Sequence, residues 1–349
     1  MNLIEGFRQP GVLSALGAAM LFGAGTPIAK LFLDAVDPWM LAGLFYLGSG
    51  LGLTFYRFIK KAPSVRLPKN ETLWFAGAIM SGGIIAPVLF MFGLTAMPAS
   101  GVSLLLNTES MFTALLAWFA FKENFDKRIA LGMVAILAGA IILSVPSEVL
   151  FTALLPTLFI LSACFAWGLD NNLTRKVSLT DATWIASVKG WSSGTVNLTL
   201  AYILGASLPS LPNIAGSMLV GFLAYGVSLT LFVVGLRHLG TARTSAYFSI
   251  APFFGATLAL LMGEPVTTPL IIATILMAIG IWLHLTEQHQ HSHTHEAMIH
   301  SHEHIHDEHH GPSHNHPIKP DAKRPNLHVH KPMTHTHVHF PDVHHRHDH

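Results

Sequence analysis

Ten apolar stretches follow one another between residues 11 and 285, each about as long as a bilayer crossing. They run approximately 11–33, 39–59, 72–93, 99–121, 128–145, 150–172, 182–205, 214–236, 242–263 and 267–285. A hydrocarbon core about 30 Å thick takes roughly 20 residues of helix, so each stretch predicts one crossing. The breaks carry turn chemistry: Asp37-Pro38, Met97-Pro98, Val145-Pro146, Leu208-Pro209, Pro212-Asn213 and Glu264-Pro265. Charged residues make up only 11% of the chain, against about 25% in a soluble domain. The fold class read from this pattern is an all-α integral membrane protein. One basic residue, Arg8, precedes the first stretch and no small-residue cleavage site follows it, which predicts an uncleaved first helix.

The basic residues orient the helices. With the N-terminus inside, 13 of the 15 lysines and arginines before the tail fall on the inner side. The exceptions are Lys30 and Lys189, while loops 94–98, 146–149, 206–213 and 264–266 have none. This asymmetry predicts a multi-pass inner (plasma) membrane protein with both termini cytoplasmic, in contact with the lipid bilayer. Net charge is +1, which offers no electrostatic basis for nucleic-acid binding. The single cysteine, Cys164, precludes an intramolecular disulfide and argues against a thiolate metal site. No Walker-type GxxxxGK[ST], H-E-x-x-H, G-x-S-x-G or CxxC is present, so neither ATP-driven transport by this chain alone nor an enzyme is expected.

The chain also repeats itself. GLTAMPASGVSLLLNTESMFTALLAWF at 93–119 parallels GLRHLGTARTSAYFSIAPFFGATLALL at 235–261. Acids follow both, Glu123 and Glu264, and then RIALGMVAILAGAIIL and PLIIATILMAIGIWL. FGAGTPIAK at 22–30 pairs with WGLDNNLTRK at 167–176. The repeat is thus five helices long. Five is odd, so the halves cross the membrane in opposite senses, an arrangement suited to alternating access around a central site. The predicted domains are 1–145, 146–286 and a tail, 287–349.

On these motifs the chain resembles EamA-type members of the drug/metabolite transporter superfamily over about residues 11–285. The resemblance implies two inverted five-helix repeats, a central cavity, and transport of small metabolites, amino acids or drugs, often outward. It names no substrate. Family members often carry a proline near the middle of the fourth helix. Pro252 stands there in the second half, but Ser110 follows Glu109 in the first.

Glu109 is the sharpest candidate site residue, because a carboxyl at mid-bilayer is costly unless it is paired or hydrated. It suits proton coupling or a cationic substrate group; a structural pair with Lys189 is the alternative. Lys189 either snorkels to the headgroups or holds a substrate carboxylate. Asp170, Asn171 and Asn172 form a polar cluster near the inner end of the sixth span, expected to lie at the opposite mouth of the cavity from Gly25-Thr26-Pro27. Asn107, Tyr247, Trp167 and Trp191 are weaker candidates that can equally serve as glue between helices. Gly82, Gly83, Gly132 and Gly139 read as packing positions.

Twenty-one of the 23 histidines lie after Glu287. His289, His291, His293, His295, His300, His302, His304, His306, His309 and His310 dominate the first stretch, where imidazole alternates with other residues. The composition cannot build a core and predicts disorder. Paired imidazoles can collect Zn²⁺, Ni²⁺, Co²⁺ or Cu²⁺; no cofactor is otherwise required. Three functions remain open: a metabolite exporter with a regulatory metal-binding tail, a divalent-cation exporter fed by that tail, and a membrane-anchored metal sensor or buffer. Oligomeric state is open, with a homodimer as one alternative.

Overall fold

The computed structural model describes residues 10–121, 127–144 and 151–285, and four tail segments, 290–295, 298–302, 326–330 and 333–338. Among the described residues the chain builds ten helices, six of them long and apolar enough to cross a membrane: α1 (Pro10–Leu33), α2 (Pro38–Ile59), α3 (Thr72–Thr95), α4 (Ala99–Leu105 and Asn107–Phe121), α5 (Lys127–Ser144), α6 (Phe151–Arg175), α7 (Ala182–Ile203), α8 (Leu211–Leu239), α9, which ends in Ala251–Leu261, and α10 (Thr268–Leu285). Helical hydrogen bonding continues over Ser228–Phe248, so the backbone pattern alone does not separate α8 from α9. Packing does. A Cβ built on Gly235 would lie 2.9 Å from Cγ2 of Thr244, whereas nine residues of straight helix span about 13 Å. The chain therefore reverses between them.

Local chemistry sets the helix ends. Asp37 caps α2, its Oδ1 accepting from the N–H groups of Trp39 at 2.9 Å and Met40 at 3.3 Å, with Pro38 at the first helical position. Asp181 caps α7 in the same way through Trp184 N–H at 2.9 Å, and pairs with Arg57 Nη1 of α2 at 2.7 Å. The C-terminal ends of α2 and α7 both turn through left-handed backbone, Lys61 at φ 49° and Gly205 at φ 85°. Desolvation pushes the Asp181 carboxyl up. Hydrogen bonds from Thr183 and Trp184 and the Arg57 guanidinium outweigh it and hold the group below the usual carboxylate range. Stability from this cap is therefore present above that range and lost as pH falls through the lowered value. Asp181→Ala is expected to cost about 1 kcal/mol, read as a lower thermal midpoint in detergent at neutral pH.

The packing repeats under exchange of the halves. α2 crosses α7, α5 packs on α10 and α4 meets α9. The remaining close pairs come as counterparts: α1 on α8 with α6 on α3, α1 on α9 with α6 on α4, and α2 on α8 with α7 on α3. The packing is thus symmetric under exchange of the two five-helix sets, as an inverted repeat requires. Even the irregular turns correspond. α3 widens into π geometry over Ile79–Ile85 and α8 over Phe222–Val227. α4 breaks at Leu106, and α9 breaks at Ser249 and Ile250, before Pro252. The first half thus has its break without the proline. At the α2–α7 crossing, Gly50 and Gly190 bring the two backbones together, close packing of small residues of the kind that joins helices in lipid.

Residues 288–340 form a separate compact unit. The described tail segments pair as two antiparallel two-stranded ladders. β1 (Gln290–His295) pairs with β4 (Met333–Val338), and β2 (Met298–His302) with β3 (Asn326–His330). Isolated two-stranded ladders are marginal in water, and nothing in this composition adds a hydrophobic face.

Candidate functional site

α6 and α7 bring the site's charges together. Lys189, only 1% exposed, donates to Oδ2 of Asp170 in a salt bridge buried inside the helical unit. Thr174, one turn further along α6, donates to the other carboxylate oxygen at 2.9 Å. The π turn of α3 makes room for the pair: a Cβ on Gly82 would collide with the Asp170 carboxylate, and one on Gly83 with Ser193 Oγ. The Gly82 carbonyl also accepts from Tyr46 Oη at 2.6 Å and Trp167 Nε1 at 3.1 Å. π turns within helices are frequent at functional sites. Here the widening seats a buried charge pair.

Glu109 lies in the first turn of the second segment of α4, just after the break at Leu106. Its Oε1 accepts from Asn171 Nδ2 at 2.9 Å, and that amide also donates to Thr113 Oγ1 at 3.2 Å. Glu109, Asp170, Asn171, Lys189 and Trp167 share one cavity between the halves, about 460 Å³ of empty volume with open solvent included. Aromatic rings form its walls. Phe22 meets Trp167 edge-on at 5.8 Å, Tyr46 meets Tyr225 at 5.1 Å, and Phe232 meets Phe248 at 4.9 Å. Two acids and one amine line this space. With all three ionised, one further proton or one cationic ligand group would balance them.

The structure sorts the predicted residues. Lys189 neither snorkels nor pairs with Glu109; it is buried against Asp170. Asp170 and Asn171 lie on the cavity wall with Glu109 and Phe22, not at a separate mouth. Asn172 is interhelical glue, its Nδ2 donating to Thr113 O at 3.1 Å and Gly168 O at 2.9 Å. Asn107 turns away toward α10, where its Nδ2 lies 3.6 Å from Met277 Sδ. Tyr247 packs with Val12, Ala15 and Leu239, and its neighbour Phe248 lines the cavity instead. Trp191 is 40% exposed and donates to Thr54. Gly139 packs on Met277 as expected, whereas Gly82 belongs to the site. Of the tail candidates, His291, His293, His295, His300 and His302 lie on strands; His289, His304, His306, His309 and His310 lie outside the described residues.

Sequence reasoning missed Phe22, Tyr46, Tyr225 and Ser228. The repeat held a usable signal for part of this. Gly83 and Ser193 meet where α3 passes α7, and Gly226 and Ser49 meet where α8 passes α2. Aligning those pairs would have marked the two π turns as the inner walls.

The family model for EamA-like transporters matches the chain twice, over residues 9–145 and 154–286. The chain belongs to the EamA-like transporter family. It is a multi-pass membrane transporter. An uncharacterized transporter of Methanothermobacter thermautotrophicus is 28% identical over 300 residues, 79% of this chain and 86% of the relative. A probable amino-acid metabolite efflux pump of Escherichia coli is 24% identical over 293 residues, 79% of this chain and 95% of the relative. A solved crystal structure shares the fold with a TM-score of 0.61 at 15% identity, covering 78% of this chain and 95% of that one.

Proposed function

We propose that this EamA-family transporter is a secondary exporter of a small amino-group-bearing metabolite, working by alternating access between its two halves. The observation that carries this reading is the aromatic-walled cavity in which Glu109 stands beside the buried Asp170–Lys189 pair. Glu109 is the group left to balance a proton or a substrate ammonium, and Lys189 the group available to a substrate carboxylate once its pair loosens. The printed name of the Escherichia coli relative agrees with this class. Both termini are placed in the cytoplasm on the charge asymmetry. Labelling of a tail cysteine from outside intact cells would overturn that placement. The deciding experiment is efflux from proteoliposomes loaded with labelled amino acids. Flux falling to background in Glu109→Gln supports the reading; flux unchanged by that substitution sinks it.

Export of a divalent cation through the same cavity is disfavoured by the Lys189 ammonium beside its carboxylates. Among the described residues no cluster of three or more histidine, cysteine or acidic side chains could hold a metal. The tail is assigned a regulatory role instead. Its histidine-rich sequence is suited to collecting Zn²⁺ or its neighbours in the transition series. Full-length protein is expected to bind Zn²⁺ by calorimetry, and protein ending at residue 286 is not. Binding should weaken as pH falls through about 6.5, where imidazole takes up a proton and stops acting as a ligand.

A further inference from the structure

The short turn between α3 and α4, residues 96–98, is gripped from two directions. Lys30, near the end of α1, sends its Nζ to three backbone acceptors: Leu94 O at 2.6 Å, Thr95 O at 2.9 Å and Met97 O at 3.1 Å. These include the last carbonyls of α3, which have no intrahelical donor and favour a cation. Glu264 follows Gly263, whose φ of 104° turns the chain out of α9. Its Oε1 accepts from Ala99 N–H at 2.7 Å and its Oε2 from Ser100 N–H at 2.8 Å. Those are the first orphan donors of α4. One long cationic side chain from the first half and one acid from the second thus close opposite ends of the same turn.

We propose that Lys30 and Glu264 are the two jaws of a gate, holding the α3–α4 turn closed on the membrane side that carries loops 94–98 and 264–266, and releasing it when the cavity opens to that side. This rests on the alternating-access reading above. Three features distinguish a gate from a fixed brace. Every contact ends on backbone atoms, so release breaks no side-chain partnership. Of the gripped residues Thr95 is exposed while Leu94, Ala99 and Ser100 are buried, so opening the turn would bring water to backbone groups that the closed state shields. And the turn joins the two helices that carry the site's moving parts, the π turn seating Asp170 on α3 and Glu109 beyond the α4 break. Opening the turn would therefore reach the cavity through both.

The test reads sided accessibility and needs no identified substrate, so its outcome is independent of whether amino-acid flux is found. In a Cys164→Ser background, a reporter Ser110→Cys lines a smaller pocket that adjoins the cavity and shares Phe22, Glu109, Asn171 and Phe248 with it. An impermeant methanethiosulfonate reagent is applied separately to each face of oriented vesicles. Glu264→Gln and Lys30→Met are each expected to raise the labelling rate from the gated side about tenfold, the scale of one lost charge-assisted hydrogen bond. The rate from the opposite side should hold or fall, and Lys30→Arg should behave like the parent. Unchanged rates, or equal increases from both sides, would overturn the proposal. Spin labels at Ala96→Cys and Val266→Cys, with both jaws retained, give a second measurement should either variant fail to assemble. Two distance populations in vesicles support a gate; one narrow population refutes it.

Discussion

Lys189→Met is expected to be the most damaging single substitution in the helical unit. It leaves Asp170 as an uncompensated carboxylate at 5% exposure. Removing one partner of a buried pair costs about 3–5 kcal/mol. The expected result is loss of most folded protein by fluorescence-detected size exclusion, or a thermal midpoint lowered well beyond that of Asp181→Ala. The double variant Lys189→Met with Asp170→Asn removes both charges and should recover much of the folded yield, since neutral replacement of a buried pair is often tolerated. It should not recover transport if the pair contacts substrate. Recovery of both fold and flux would show the pair to be structural only. Equal damage in the single and double variants would show that packing around Lys189, and not its charge, holds the fold.

The second large effect is expected at Gly82. A methyl group there would meet the Asp170 carboxylate at less than van der Waals contact, and the clashing group is itself tied to Lys189 and Thr174. The Gly82 carbonyl holds Tyr46 and Trp167 as well, so the π turn cannot shift freely. Overpacking of this kind costs about 1–3 kcal/mol, and here it falls on the site. Gly82→Ala should therefore abolish flux while lowering the thermal midpoint only moderately. Two comparisons calibrate it. Gly226, the counterpart in α8 of the adjacent Gly83, would place a Cβ 3.0 Å from Ser49 Oγ and 3.2 Å from Ser49 Cα, a milder crowding than the collision at Gly82. Gly101 has no neighbouring atom within 4 Å of a built Cβ. The order of damage should run Gly82, then Gly226, then Gly101. Wild-type flux in Gly82→Ala would mean that the π turn does not shape the cavity.

Most helix ends were legible because proline, aspartate and glycine act locally. Pro38 and Asp37 start α2, and Ala182 follows its Asp181 cap, whatever the rest of the chain does. Residue spacing also located Glu109, because a carboxyl in an apolar run is conspicuous by itself. Its partner was not legible. Lys189 was within reach of two acids on different helices, and the choice between Glu109 and Asp170 depends on how α6 and α7 rotate about their axes. Asn107 and Tyr247 failed for the same reason. A break at Leu106 and another at Ser249 re-aim the residues that follow, so a position counted along one regular helix ends on a different face. The gate was half legible: the repeat marked Glu264, but nothing nearby in sequence announces that it caps a helix some 165 residues away.

Sequence by itself determined that this chain is a multi-pass membrane protein, that its helix pattern repeats, and that its histidines are set apart in a tail. Hydrophobic length, turn residues and periodicity are one-dimensional properties, and each acts over a few residues. Tertiary structure alone decided which buried charges meet, that Gly82 is part of the site, and that Lys30 and Glu264 grip one turn. Those outcomes depend on helix rotation and on close backbone approach between segments far apart in the chain. In a low-dielectric interior, such ångström-scale placements decide whether a lysine is paired or stranded.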